Sequence, residues 1–98
     1  MVKFEWDENK NETNIEKHGL DFEDASEVFD IPMLIALDRR QDYGGDRWIG
    51  LGLLEHLVVV VVCTYRDSDI VRIISMRKAL QHERFQYEEF LRNQLATD

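Results

Sequence analysis

Residues 73–90, IISMRKALQHERFQYEEF, run from a strand pattern into a helix pattern, and the join carries Arg77 and Lys78. Glu83, Arg84 and Tyr87 follow within two helical turns. Arginine suits anion chemistry, because its planar fork gives phosphate or carboxylate oxygens two bonds and it keeps its charge. The N–H groups that open a helix attract the same kind of ligand. The junction therefore reads in two ways. It is an anion site, or it is a solvated surface whose cations and caps simply finish the two elements. A second group of interest is Lys17-His18, at the end of the first helical pattern. Histidine is the side chain that ordinarily changes charge near neutrality, so His18 is the natural candidate for moving a proton. Cations at a helix C-terminus also complement the dipole without any catalysis.

The chain that must position these groups has 98 residues, enough for one domain over 1–98 and too few for two cores. With 44% hydrophobic residues and one proline it should bury a real core. A single cysteine, Cys63, rules out an internal disulfide framework and leaves no cysteine cluster for zinc. Neither a glycine-rich phosphate loop nor a cofactor signature is present, so no cofactor and no metal are expected. The N-terminus lacks the apolar core of a signal peptide, and the longest apolar run, 57–63, falls far short of the ~20 residues that span a bilayer. A cytoplasmic protein without membrane contact is the expectation.

The net charge of −8 argues against general nucleic-acid binding, which draws its affinity from neutralising phosphates. The average conceals an asymmetry. Residues 1–30 hold ten acids against three lysines, whereas residues 66–98 hold six of each. The acidic third either solvates the fold or receives a basic partner.

Along the chain, VKFEW (2–6) alternates as a short strand, and Asp7 and Gly19 are a fitting N-cap and C-cap for a helix between them. Asp21 caps a second helix over 22–29, which Pro32 stops. Strands follow at 33–38, 47–55, 56–66 and 70–76, with turns at 39–46 and 67–69. Trp48, Gly50, Gly52 and Leu54 share one face, and two glycines there predict close approach of a packed element or of another backbone. The unbroken apolar run of 57–63 predicts a central strand covered on both faces. A last helix spans about 79–95. The order is β-α-α-β-β-β-β-α, and short turns between successive strands predict an α+β fold built on an antiparallel meander.

Three stretches in combination resemble the BrnT family of toxins from bacterial type II toxin–antitoxin modules: FEWDENKNETNIEKHGLDFEDASEVF, then GDRWIGLG, then VVVVCTYRDSDIVRIISMRKALQHERFQYEEF. The likeness covers about residues 4 to 90 and rests on WDxNKxxxNxxKHGxxFExA, DRW and RIISxRKAxxxERxxYE together. Met76 and Leu80 depart from the pattern, as does Asp46 in GDRW. The resemblance implies a RelE-like fold and a ribonuclease that slows growth by cutting RNA. It also implies a BrnA-like antitoxin with a DNA-binding ribbon-helix-helix part. That partner would neutralise the toxin in a hetero-oligomer and would be the toxin's only link to DNA.

Cleavage of this kind turns the RNA's 2′-hydroxyl on the adjacent phosphate, so the protein must position the strand, stabilise added charge and move protons. His18, Arg66 and Arg77 are the candidates for catalysis; Lys17, Arg72, Lys78, Arg84 and Tyr87 are the candidates for holding RNA. If 67–69 closes a simple hairpin, Arg72 lies diagonal to Arg66 on one face, ~7–8 Å away, a plausible pair around one phosphate. Arg77 is ~17 Å further along that strand, so one phosphate cannot touch all three. Tyr87 shares a helical face with Arg84 and would stack on a base or help move a proton; the alternative is a core tyrosine beside an Arg84–Glu88 surface pair. A second reading of the whole chain is a catalytically weak binding module whose main work is to hold the antitoxin and regulate the operon. The net acidity and the residues at 76 and 80 motivate it. A small-molecule enzyme ranks last.

Overall fold

Asp7 opens the first helix as the sequence predicts: its carboxylate accepts from the N–H of Asn9 at 2.8 Å and of Lys10 at 3.2 Å. Gly19 closes that helix in the left-handed conformation, φ +71°, and donates its N–H to the carbonyl of Ile15. The computed structural model describes residues 2–40, 42 and 44–96. In chain order the elements are β1 (Lys3–Glu5), α1 (Glu8–His18), a 3-10 turn (Phe22–Asp24) that runs straight into α2 (Ala25–Phe29), β2 (Leu34–Leu37), β3 (Trp48–Leu54), β4 (Leu57–Arg66), β5 (Ile70–Lys78) and α3 (Gln81–Ala96). The predicted second helix is thus one turn of 3-10 followed by five residues of α-helix. Gln41 and Tyr43, in the predicted 39–46 turn, lie outside the described residues.

The five strands form one sheet in the order β1-β5-β4-β3-β2. From β2 to β5 each strand pairs antiparallel with the next, as expected. The first strand corrects the expectation of an antiparallel meander. β1 crosses to the far edge and lies parallel to β5, Lys3 opposite Ile70 and Glu5 opposite Arg72, so the sheet is mixed. A three-residue strand carries too little pattern to announce its neighbour.

β4 is the middle strand, and its alternate residues feed two cores. Val59, Val61 and Cys63 point to the side covered by Phe22, Ala25 and Val28, joined by Val71, Ile73 and Met76 of β5. Val58 and Val60 point to the other side, where Tyr87 of α3 covers them with Leu51. Gly52 faces α2 so closely that a Cβ there would run into Val28, and one on Gly50 would stand 2.9 Å from the Met33 methyl. The two glycines allow the helix to lie on the sheet.

One irregularity in β5 matters for the site. Cys63 stands opposite Ile73 and Val62 opposite Ser75, which leaves Ile74 as an extra residue, a β-bulge. Before the bulge the odd residues Val71 and Ile73 enter the α2-side core. After it, the even residue Met76 does, and Arg77 stands beside Val60 on the α3 side. Without the bulge the strict alternation of a strand would send Arg77 under α2.

Candidate functional site: a cationic cleft between α1 and β5

β1 pairs with β5 only at Ile70–Arg72, and α1 lies along the edge of β5 beyond that point. The helix is two-sided. Glu8, Glu12 and Glu16, four residues apart, form an acidic stripe, while Lys10, Thr13, Asn14 and Lys17 share another face. This second face, with His18, forms one wall of two adjoining hollows. The first, of about 400 Å³, is closed on the β5 side by Ile74 and Ser75 at the bulge. The second, of about 610 Å³, lies between Lys17 and His18 on one side and Arg77, Lys78 and Leu80 on the other. Four groups proposed from the sequence therefore meet in one place: Lys17, His18, Arg77 and Lys78.

Arg77 is held by Glu83. Its Nη1 donates to Glu83 Oε1 at 2.8 Å and its Nη2 to Oε2 at 2.9 Å; Nη1 also donates to the Lys78 carbonyl at 3.2 Å. Glu83 Oε1 accepts in addition from the N–H of Leu80, so one carboxylate ties the arginine to the first turn of α3. The Arg77 guanidinium beside it, more than the Leu80 N–H, pushes the Glu83 carboxyl down to about 2. The Arg40 guanidinium acts on Arg77 in the opposite sense to Glu83, so a third arginine stands near this junction. Arg40 is itself bound by Asp38, Nε to Oδ1 at 2.8 Å and Nη2 to Oδ2 at 2.7 Å. A guanidinium has five N–H donors. Glu83 and Lys78 take three from Arg77, which leaves Nε–H and one Nη2–H, the second edge of the fork.

Arg66 and Arg72 lie elsewhere. Both donate to the same oxygen of Glu5, at 2.6 and 3.0 Å, and a carboxylate thus stands where the sequence suggested a phosphate. Their hydrogen bonds, Arg66 before Arg72, hold the Glu5 carboxyl below its ordinary range. This trio pins β1 to the β4–β5 hairpin; Arg72 is five residues along β5 from Arg77, or roughly 17 Å at about 3.3 Å per residue, and Arg66, opposite Ile70, is further still. Arg84 is exposed on α3. Tyr87 is wholly buried, and its hydroxyl donates to the Pro32 carbonyl at 2.8 Å; of the two roles considered for it, this is the geometry of the core one. Trp6 packs edge-on against Phe22, and burial pushes the Cys63 thiol up to about 11, which leaves it unreactive.

Lys10, Asn14, Ser75 and Glu83 belong to the motifs quoted above but carried no assigned role, and Arg40 lies outside those motifs. For Lys10 a signal existed, since it stands seven residues before Lys17 and so on its face. For Glu83 the signal was its place three residues into a helix whose start follows an arginine. Nothing local announces Arg40.

Among the described residues no three His, Cys, Asp or Glu side chains gather as a metal site would require, and no helix is long and apolar enough to cross a membrane. Residues 6–83 match the family described as the ribonuclease toxin BrnT of type II toxin–antitoxin systems. Among solved structures, the crystal structure of the Brucella abortus ribonuclease toxin BrnT is 34% identical. That likeness has a TM-score of 0.64 and covers 83% of this chain and all of that one. No curated protein sequence matches.

Proposed function

Because this chain belongs to the BrnT family of ribonuclease toxins of type II toxin–antitoxin systems, we propose that the hollow between α1 and β5 is where it cuts RNA, with the RNA's own 2′-hydroxyl as nucleophile. The 2′-oxygen attacks the adjacent phosphorus, the bond to the 5′-oxygen breaks, and a cyclic phosphate remains. His18 takes the proton from the 2′-hydroxyl, Lys17 beside it gives one to the departing 5′-oxygen, and Arg77 binds the oxygens that gain charge. Lys78 holds the strand on the far side of Arg77. This route asks the protein for no metal.

The observation that carries the reading is the spare edge of Arg77. Glu83 fixes the guanidinium without consuming it, and the Nε–H and remaining Nη2–H match the two oxygens of one phosphate. Lys17 and His18 line the same hollow, and neither side chain makes a hydrogen bond or ion pair to another described residue. In the toxin–antitoxin pair, the partner is a BrnA-like antitoxin of the ribbon-helix-helix type, which reaches DNA while the toxin does not. An acidic segment of that partner, laid over Lys17, Arg77 and Lys78, suits the charge of the cleft.

A second reading has one observation in its favour. Arg66, Arg72 and Arg77 each already hold a carboxylate, as they would in a domain whose main work is to bind its antitoxin. Expressing the wild type and Arg77→Ala without a partner, and following growth and RNA integrity together, separates the two. Arrest with RNA loss in the wild type alone supports cleavage at Arg77. A folded wild type that leaves growth and RNA intact sinks the ribonuclease reading and favours the binding module.

A further inference from the structure

α1 is an unusual helix in what it buries: its two buried residues are Asn11 and Asn14. Asn11 serves the loop that follows. Its Nδ2 donates to Asp21 Oδ1 and its Oδ1 accepts from the Phe22 N–H. Asn14 reaches across to the sheet. Its Oδ1 accepts from the N–H of Met76 at 3.2 Å, and its Nδ2 donates to the carbonyl of the same residue at 2.9 Å and to that of Leu20 at 3.0 Å. Met76 is wholly buried, and β1 ended its pairing with β5 four residues earlier. The side-chain amide thus supplies both hydrogen bonds that a neighbouring strand would have made. Unmet, two buried backbone groups would each carry the full cost of losing water without a partner.

The position of this bond matters more than its strength. On α1, Lys10 lies four residues before Asn14, and Lys17 and His18 lie three and four residues after it, all within one turn. On β5, Met76 stands between Ser75 and Arg77. We propose that Asn14 is the positioning residue of the cleft: by bonding both backbone groups of Met76, it sets where the wall carrying Lys17 and His18 stands against the wall carrying Arg77. The inference rests on the ribonuclease reading for its functional consequence and on the geometry alone for its structural one. The register is sharply defined, because an amide that accepts from an N–H and donates to the C=O of the same residue fits only where both groups face off the sheet edge, so the next fit lies two residues away.

Asn14→Asp keeps the shape and removes the donor. Its carboxylate still accepts from the Met76 N–H but faces the Met76 and Leu20 carbonyls with no proton to give. Cleavage of a fluorogenic single-stranded RNA, measured at pH 7.5 and at a temperature where both proteins are folded by circular dichroism, should fall roughly 10- to 100-fold, mostly in kcat. Protonation restores a donor, so the ratio of variant to wild-type rate should recover as the pH is lowered toward 5. The ionisable groups around the site, Asp7, Lys10, Lys17 and His18 of the α1 segment, Asp21 of the loop and Arg77 of β5, are the same in both proteins, so only the carboxylate placed at position 14, and its charge on these neighbours, distinguishes the two profiles. A stability defect alone would not recover in this way at a temperature where both are folded. A folded Asn14→Asp with the wild-type kcat and pH profile overturns the proposal. Residual dipolar couplings read the geometry without any activity: in Asn14→Ala, or in Asn14→Asp at pH 7.5 should the alanine variant not fold, α1 should reorient against β5. An unchanged orientation also overturns the proposal, whether or not any RNA is cut. Should the wild type cut no RNA while α1 reorients in the variant, the ribonuclease reading fails and the clamp stands.

Discussion

Arg77 and Glu83 meet fork to carboxylate across the strand-to-helix junction, at 2.8 and 2.9 Å, with the Glu83 side chain only 15% exposed. The arginine keeps the Glu83 carboxyl ionised down to about 2, against an ordinary value of 4.5. Since the folded value is the lower one, the pair stabilises the fold above pH 4.5, and that contribution fades as the pH falls toward 2. Urea unfolding at pH 7 should show Glu83→Gln less stable than the wild type by on the order of 2 kcal/mol. The gap should narrow below pH 4.5 and be largely closed near pH 2. A gap independent of pH would mean that Glu83 acts through packing or the helix start rather than through its charge.

Arg66 and Arg72, pinned on Glu5 at the other end of β5, stand too far along the strand to meet the phosphate proposed for Arg77. Arg66→Ala should therefore raise KM for RNA and leave kcat within about twofold, and a rise of that kind should shrink with added salt. A fall in kcat at unchanged KM would bring Arg66 to the reacting phosphate and contradict the distance along the strand.

Tyr87→Phe removes the hydroxyl bonded to the Pro32 carbonyl and little else. Stability should drop by about 0.5–1.5 kcal/mol in thermal or urea unfolding, with the rate of RNA cleavage unchanged. Lost cleavage in a stable variant would return Tyr87 to the chemistry.

Leu80 occupies the position before the first turn of α3, where its N–H is already capped by Glu83 but its own side chain, 57% exposed, caps nothing. Leu80→Ser supplies the missing half of a capping box. The expected gain is about 1 kcal/mol in unfolding free energy, and a loss would show that Leu80 makes an apolar contact worth more than the cap.

Much of this molecule could be read from its chain, and the reasons are local. Asp7 and Gly19 bound α1 because capping depends on one or two residues. The apolar run at 57–63 had to be the central strand, since only a strand covered on both faces tolerates it. Gly50 and Gly52 announced a close neighbour, which proved to be α2 and Met33. What escaped depends on partners distant in sequence. β1 could have joined either edge, and its parallel seat beside β5 followed from no feature of Lys3–Glu5. The bulge at Ile74 lies within an apolar stretch that reads equally well without it. Asn14 is a letter of the motif, but what it bonds depends on Met76, 62 residues away. At the site, charge type and clustering found Lys17, His18, Arg77 and Lys78, but they did not find the carboxylates that restrain the arginines.

The cleft draws its two walls from residues 7–18 and 74–80, so more than half the chain separates them. During synthesis the N-terminal wall leaves the ribosome first and waits with nothing to face. Until Arg77 and Lys78 have emerged and β5 has paired with β4, no phosphate finds both sides of the site. Contacts this distant in sequence also close slowly, because the intervening loop must be ordered before they form. On the function proposed above, a nascent or truncated chain lacks one wall of the cleft and cuts no RNA, which leaves an interval between translation and activity.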